Sequence, residues 1–99
     1  MIKHRKTKIL ATIGPATNSF DQLEKLYLAG VNAFRMNFSH GSHEDHLKVI
    51  QFTEELNQKH QAHISLLADL QGPKLRLGEI ENNSILLVEG ELINVVNYP

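Results

Sequence analysis

The chain has 99 residues, of which 41% are hydrophobic and 21% charged, with a formal net charge of -1. That balance suits one small globular unit and argues against a dominant basic face for nucleic acid or anionic lipid. Cysteine is absent, which excludes disulfides and thiolate metal centres.

The first ten residues, MIKHRKTKIL, are basic, but no long apolar run follows them, so they do not read as a secretory signal. Lys3, His4, Arg5, Lys6 and Lys8 read as a solvated or interface segment rather than a nucleic-acid site. The longest apolar runs fall far below the roughly 20 residues of a membrane helix. The expectation is therefore a cytoplasmic protein.

Residues 8–13 (KILATI) are short, apolar and bounded by Gly14-Pro15, the pattern of a buried strand ended by a turn. Ser19 opens a helix, with Gln22 three residues on as a capping box. Leu23, Leu26 and Tyr27 follow at helical spacing, and Gly30 marks the helix end. Residues 31–38 (VNAFRMNF) predict a second strand. Ser42 opens a second helix, with Asp45 as a looser capping box and an imperfect apolar stripe of Leu47, Ile50, Phe52 and Leu56. The polar stretch 57–61 closes it. Residues 64–68 (ISLLA) predict a third strand that ends at Asp69 and the turn signal Gln71-Gly72-Pro73.

This alternation predicts an α/β fold with parallel strands and helices packed on the sheet. It does not separate an open doubly wound sheet from a (β/α) barrel. After Gly78 the pattern changes. Residues 84–88 (SILLV) and 92–96 (LINVV) flank Glu89-Gly90-Glu91, which predicts a β-hairpin. A domain boundary is placed between residues 71 and 78. With so little chain after it, such a hairpin is marginal, and the sequence reads as cut short.

Sites in α/β folds form at the carboxyl ends of the parallel strands. Thr12 to Pro15, then Arg35, Asn37, Ser39 and His40, then Asp69 gather there, with Lys74 and Arg76 close behind. Arg35 and Asn37 are two residues apart and share one strand face. Arg35 offers a planar fork of donors for phosphate or carboxylate, and Arg76 is a second candidate. Asn37, Ser39 and Asp69 offer hard oxygens for a small cation. The set suits an anionic, cation-assisted substrate. Read alone, the same residues also allow a structural Arg35–Asp69 ion pair, with Asn37 and Ser39 capping the next turn. No dinucleotide or Walker glycine motif is present. His40, His43 and His46 recur at three-residue intervals, but H-E-x-x-H is absent, so they read as solvated first-turn residues rather than a transition-metal site. Glu44 and Asp45 complement the helix dipole.

Three stretches in this order carry a family resemblance: TKILATIGPAT, AGVNAFRMNFSHG and LLADLQGPKLRLG. Together they resemble pyruvate kinase, from residue 7 to residue 78, and the following hairpin fits the same family. The resemblance implies a (β/α)8 TIM barrel with a small β-barrel lid inserted after the third barrel strand. Residues 1–72 would then be the N-terminal part of the barrel, with three strands and two helices, and residues 73–99 the opening strands of the lid.

The resemblance also implies roles. Arg35 would bind the substrate phosphate. Asn37, Phe38, Ser39, His40 and Arg76 would contact the nucleotide. Asn37, Ser39, Asp69 and the Leu70 carbonyl would ligate potassium. The implied reaction transfers a phosphoryl group from phosphoenolpyruvate to ADP, giving pyruvate and ATP, with magnesium held elsewhere. Such catalysis is mostly positioning and charge neutralisation. Many potassium-dependent members read DTKGPEIRTG where this chain reads DLQGPKLRLG. Lys74 thus places an ammonium where those relatives carry a carboxylate, as in potassium-independent members. Charges ~4 Å apart interact by about 4 kcal/mol at an effective dielectric of 20, enough for a tethered ammonium to replace a bound potassium. Potassium is therefore expected to be dispensable.

The family's catalytic lysine and magnesium ligands have no counterpart among these residues, so the 99-residue chain alone is expected to be inactive and to self-associate through its open strand edges. A homotetramer is expected for the full-length protein, with no nucleic-acid or membrane partner. Two other readings use the same residues: a non-enzymatic fragment, and an unrelated α/β phosphate-binding module.

Overall fold

A computed structural model describes residues 4–97. Lys3 of the basic segment and the terminal Tyr98-Pro99 lie outside the described residues.

The elements follow in the order β1 (Leu10–Ile13), α1 (Phe20–Ala29), β2 (Ala33–Asn37), α2 (His43–His60) and β3 (Ser65–Asp69). The strands form one parallel sheet in the order β1-β2-β3. Each connection contains a helix, the usual form of the long crossover that parallel pairing requires.

Local chemistry sets both helix starts. The Ser19 side chain accepts a hydrogen bond from Gln22 N, and the reciprocal half of the expected box is not formed. Ser42 and Asp45 form the complete box: Asp45 N donates to Ser42 Oγ, and Ser42 N donates to the Asp45 carboxylate. The helix ends differ. α1 stops at Gly30, whose φ of 114° is left-handed. A Cβ there would meet only the movable end of the Arg5 side chain, at 2.9 Å, so it is the angle rather than space that favours glycine. α2 stops at Gln61, a non-glycine residue with φ of 48°. Asn57 then bridges the connection to β3. Its amide donates to Ile64 O at 3.1 Å and accepts from Ile64 N at 2.8 Å.

Alternation decides the two faces of the sheet. Phe34 and Met36 of β2 are buried against the helices, while Ala33, Arg35 and Asn37 point the other way. Leu23 and Tyr27 of α1 join Phe34, Met36, Val49, Leu56 and Ile64 in one core. Leu23, Phe34 and Leu56 are fully buried, each contributing about 1.5–3 kcal/mol. The two helices also touch directly, with the Phe20 and Phe52 rings edge to face at 5.9 Å. Both helices therefore lie on one face. A doubly wound sheet also carries both helices of one βαβαβ half on a single face and changes face only where its strand order reverses. Sequential strand order with a single helical layer is the arrangement of a barrel segment and equally of one such half.

The buried stripe of α2 differs from the expected one. Val49, Thr53 and Leu56 face the core, Ile50 and Phe52 flank it, and Leu47 is 52% exposed. Thr53 escapes a hydrophobicity count because it is polar; its hydroxyl donates to Val49 O at 2.7 Å and is thereby satisfied.

The hairpin expected at residues 84–96 is the main correction. Its turn is present: Glu91 N donates to Val88 O at 3.1 Å, and Gly90 has a φ of 87°. The flanking segments do not pair as strands among the described residues, and a short 3-10 turn, Glu81–Asn83, precedes them. Every residue from 70 to 97 is exposed, including Leu86 at 86% and Leu92 at 101%. A two-stranded ribbon with no apolar surface beneath it is marginal. The radius of gyration is 19.6 Å, against about 13 Å for a compact chain of this length.

Candidate functional site

Three backbone turns at the carboxyl ends of the strands bring the polar residues together. After β1, the turn at residues 14–17 is closed by Thr17 N donating to Gly14 O at 3.0 Å and Gly14 N donating to Thr17 Oγ1 at 3.1 Å. After β2, Asn37 folds back on its own turn. Its side-chain oxygen accepts from Ser39 N at 3.1 Å, and His40 N donates to Asn37 O at 3.2 Å. After β3, the Asp69 carbonyl accepts from Phe38 N at 3.0 Å, so the β2 and β3 ends are tied.

Strand register fixes the side chains. Thr12, Arg35 and Leu67 form one row on the open face, and Asn37 pairs with Asp69 in the next. The Arg35 side chain leans one row onward. Its guanidinium ion-pairs with the Asp69 carboxylate and donates to Thr12 Oγ1 at 3.3 Å. Arg35 thus spans all three strands. Its side chain keeps 28% exposure and that of Asp69 keeps 44%, so donors remain open to an anion arriving from the open face.

Lys74 crosses back from the segment after β3 and donates to Ser39 Oγ. Asn37, Ser39 and Asp69 therefore each hold a donor or cation already: Ser39 N, Lys74 and Arg35, respectively. As hard oxygens they suit a small cation, but the Lys74 ammonium occupies one of them and would repel a second positive charge. Leu70 is 73% exposed. Arg76 lies in the exposed segment and has no hydrogen-bond or ion-pair partner among the described residues. Arg35, Asn37, Ser39, Asp69 and Lys74 are thus brought together, while Arg76 is not.

A cavity of about 420 Å³ adjoins this cluster, lined among others by Thr12, Pro15, Asn37, His40, Gly41 and His46. A larger one of about 560 Å³ lies at the opposite end of the sheet, near Lys8, Tyr27, His60 and His63. The smaller cavity is the relevant one, because it sits at the carboxyl ends of β1 and β2, where Thr12 and Asn37 line it.

The histidines do not gather. No group of three His, Asp or Glu residues among the described residues could hold a metal ion. His46 is instead engaged locally. Its ring stacks on Phe38, with centroids 4.3 Å apart, and its Nε2 lies 2.9 Å from His40 O. Nothing in the sequence spacing signals this contact, because it depends on the left-handed turn at Gly41, φ 77°. Arg5 is a second residue whose contacts the sequence hid. It donates to Gly30 O and, at 3.3 Å, to Asn32 Oδ1, rather than standing in solvent.

Two carboxylates are shifted. Hydrogen bonds from Lys59 and then His60 hold the Glu24 carboxyl below its ordinary range. Hydrogen bonds from the Ser42 backbone and side chain do the same for Asp45.

Comparison with known proteins fits this geometry. The family profile "Pyruvate kinase, barrel domain" matches residues 4–98. The chain belongs to the pyruvate kinase family. It is 46% identical over 93 residues to a pyruvate kinase of Agrobacterium vitis, covering 94% of this chain and 19% of that protein. It is 51% identical over 83 residues to a pyruvate kinase of Buchnera aphidicola, covering 84% of this chain and 17% of that protein. A crystal structure of Cryptosporidium parvum pyruvate kinase superposes with a TM-score of 0.66 at 38% identity, over 73% of this chain and 15% of that one. The chain therefore spans about a fifth of the length of the curated pyruvate kinases it matches. The three parallel strands and two helices are the N-terminal part of the pyruvate kinase barrel domain. No helix among the described residues is long and apolar enough to cross a membrane.

Proposed function

We propose that this chain supplies the substrate-phosphate and nucleotide side of a pyruvate kinase active site. The reaction moves the phosphoryl group of phosphoenolpyruvate to the β-phosphate of ADP. The enolate left behind takes a proton at carbon and becomes pyruvate. In this reading Arg35 grips the transferring phosphate through its planar fork. Asn37, Phe38, Ser39, His40 and Arg76 contact the nucleotide. The observation that carries the reading is Arg35, half-open on the sheet face and braced from both neighbouring strands by Thr12 and Asp69. Bracing of this kind pre-organises a charged group at little cost during reaction.

Magnesium, when bound, neutralises charge on the phosphates; none of residues 1–99 is assigned to it. Asn37, Ser39, Asp69 and the Leu70 carbonyl form the potassium-like oxygen set. The contact from Lys74 to Ser39 supports the view that a tethered ammonium takes the place of potassium there. Residues 1–72 belong to the barrel and residues 73–99 begin the lid, consistent with the exposure of every residue from 70 to 97. The whole protein acts in glycolysis, in the cytoplasm, as a homotetramer. The isolated 99-residue chain is inactive and self-associates through the open edges of β1 and β3.

A coupled assay for pyruvate, run on the whole natural polypeptide that carries this chain and on residues 1–99 alone, tests the proposal. Turnover of phosphoenolpyruvate and ADP by the former and none by the latter is expected. An inactive whole polypeptide overturns it, as would turnover by residues 1–99.

A further inference from the structure

The nucleotide-side turn is held by a residue to which no role has been assigned. The turn at residues 38–41 carries Phe38, Ser39 and His40, which the proposed function gives to the nucleotide. It leaves β2 and must enter α2 at Ser42 within a few residues, through a left-handed glycine. Asn37, Asp69 and Lys74 hold its β2 side, and its passage from His40 into the helix is held from α2.

His46, on the first turns of α2, touches both ends of it. At one end its ring lies on the Phe38 ring, with centroids at 4.3 Å and planes inclined by 27°. At the other end its Nε2 lies 2.9 Å from the His40 carbonyl oxygen. A carbonyl only accepts, so Nε2 carries the hydrogen. Between the two ends the backbone passes close beneath the ring. A Cβ added at Gly41 would meet His46 Cε1 at 3.5 Å and Nε2 at 3.6 Å. The capping box of Ser42 and Asp45 anchors the helix that carries His46. The same ring helps line the 420 Å³ cavity beside Asn37 and His40.

We infer that His46 is a positioning residue that clamps the 38–41 turn between its stacking face and its Nε2 hydrogen, and so sets the geometry of the nucleotide contacts. The inference rests on the proposed function, since the ligand is the nucleoside diphosphate of that reading. The clamp acts on the turn and not on Arg35, which is braced separately by Thr12 and Asp69. Its loss therefore falls on one substrate and spares the other.

The test is steady-state kinetics of the whole natural polypeptide with two variants. His46→Phe keeps a ring to stack on Phe38 but has no hydrogen to donate. His46→Ala removes both contacts. His46→Phe is expected to raise the KM for ADP by about fivefold, the factor equal to one ordinary hydrogen bond. His46→Ala is expected to raise it further, while the KM for phosphoenolpyruvate stays within about twofold in both. Partial rescue by phenylalanine would separate stacking from hydrogen bonding, which simple loss of folding does not do. An unchanged KM for ADP in both variants, or an equal rise for the two substrates, overturns the clamp while leaving the proposed function intact. An inactive unsubstituted protein overturns the proposed function, and the clamp's nucleotide role with it.

Discussion

Replacing Arg35 separates the two uses its neighbours allow, a structural ion pair or a grip on substrate phosphate. The Arg35 and Asp69 side chains are 28% and 44% exposed. An ion pair that open to water contributes about 0–1 kcal/mol to stability. A charge-assisted hydrogen bond to phosphate is worth about 1.5–3 kcal/mol. Arg35→Lys keeps the charge and gives up the fork, losing one such bond, or roughly 2 kcal/mol. That corresponds to about a 30-fold fall in kcat/KM for phosphoenolpyruvate. Arg35→Met loses both bonds, and the fall reaches about a thousandfold. Thermal unfolding of the same variants should move by no more than about 1 kcal/mol, so the loss of activity is not loss of fold. The assay is steady-state kinetics of the whole natural polypeptide beside a melting curve for each variant. An Arg35→Met protein that keeps kcat/KM within about threefold, or that loses about 3 kcal/mol of stability while its folded fraction stays active, refutes the phosphate-binding role and leaves a structural pair.

Other expectations follow from the same contacts. Lys74→Glu removes the ammonium from Ser39 and restores a carboxylate beside an oxygen set suited to potassium; activity should become at least about tenfold dependent on potassium, while the unsubstituted protein works equally well in a bulky organic cation. Gln61→Gly relieves the left-handed C-cap of α2 at φ 48° and should raise stability by about 0.5–1 kcal/mol in urea unfolding. Glu24 has a depressed carboxyl, so its contribution is present above the ordinary value of 4.5 and is lost as pH falls through the lowered folded value. Glu24→Gln should therefore reduce the melting temperature at neutral pH and leave a shallower acid-side decline than the unsubstituted protein shows.

Much of the barrel segment was legible because its local signals agree. Ser19 and Ser42 are true N-caps, and Gly30 has no competitor as a C-cap. The three apolar runs ended in the strands expected of them, each shortened by a residue or more at its start. The choice between barrel and doubly wound sheet came from the family motifs TIGPAT, FRMNFSHG and DLQGPKLRLG, since strand–helix alternation is shared by both folds. The α2 stripe was misread at Leu47 because a buried threonine, Thr53, carries the helical period that hydrophobicity alone does not see. The hairpin failed for a different reason. Its turn chemistry is local and forms, but strand pairing draws its stability from surface that residues 84–96 do not find among the described residues. At the site, Arg35, Asn37 and Asp69 could be placed by alternation and strand ends. The clamp by His46 and the tie from Arg5 to Gly30 depend on left-handed turns and long reach. Neither leaves a spacing signal.

The most direct measurement is phosphorus NMR of phosphoenolpyruvate and ADP mixed with the whole natural polypeptide, in magnesium and a tetramethylammonium buffer free of potassium. The phosphoenolpyruvate signal is expected to decay while the γ-phosphate of ATP grows at the same rate. Absence of conversion both before and after potassium is added would contradict the proposed reaction, and conversion only after potassium is added would contradict the role given to Lys74.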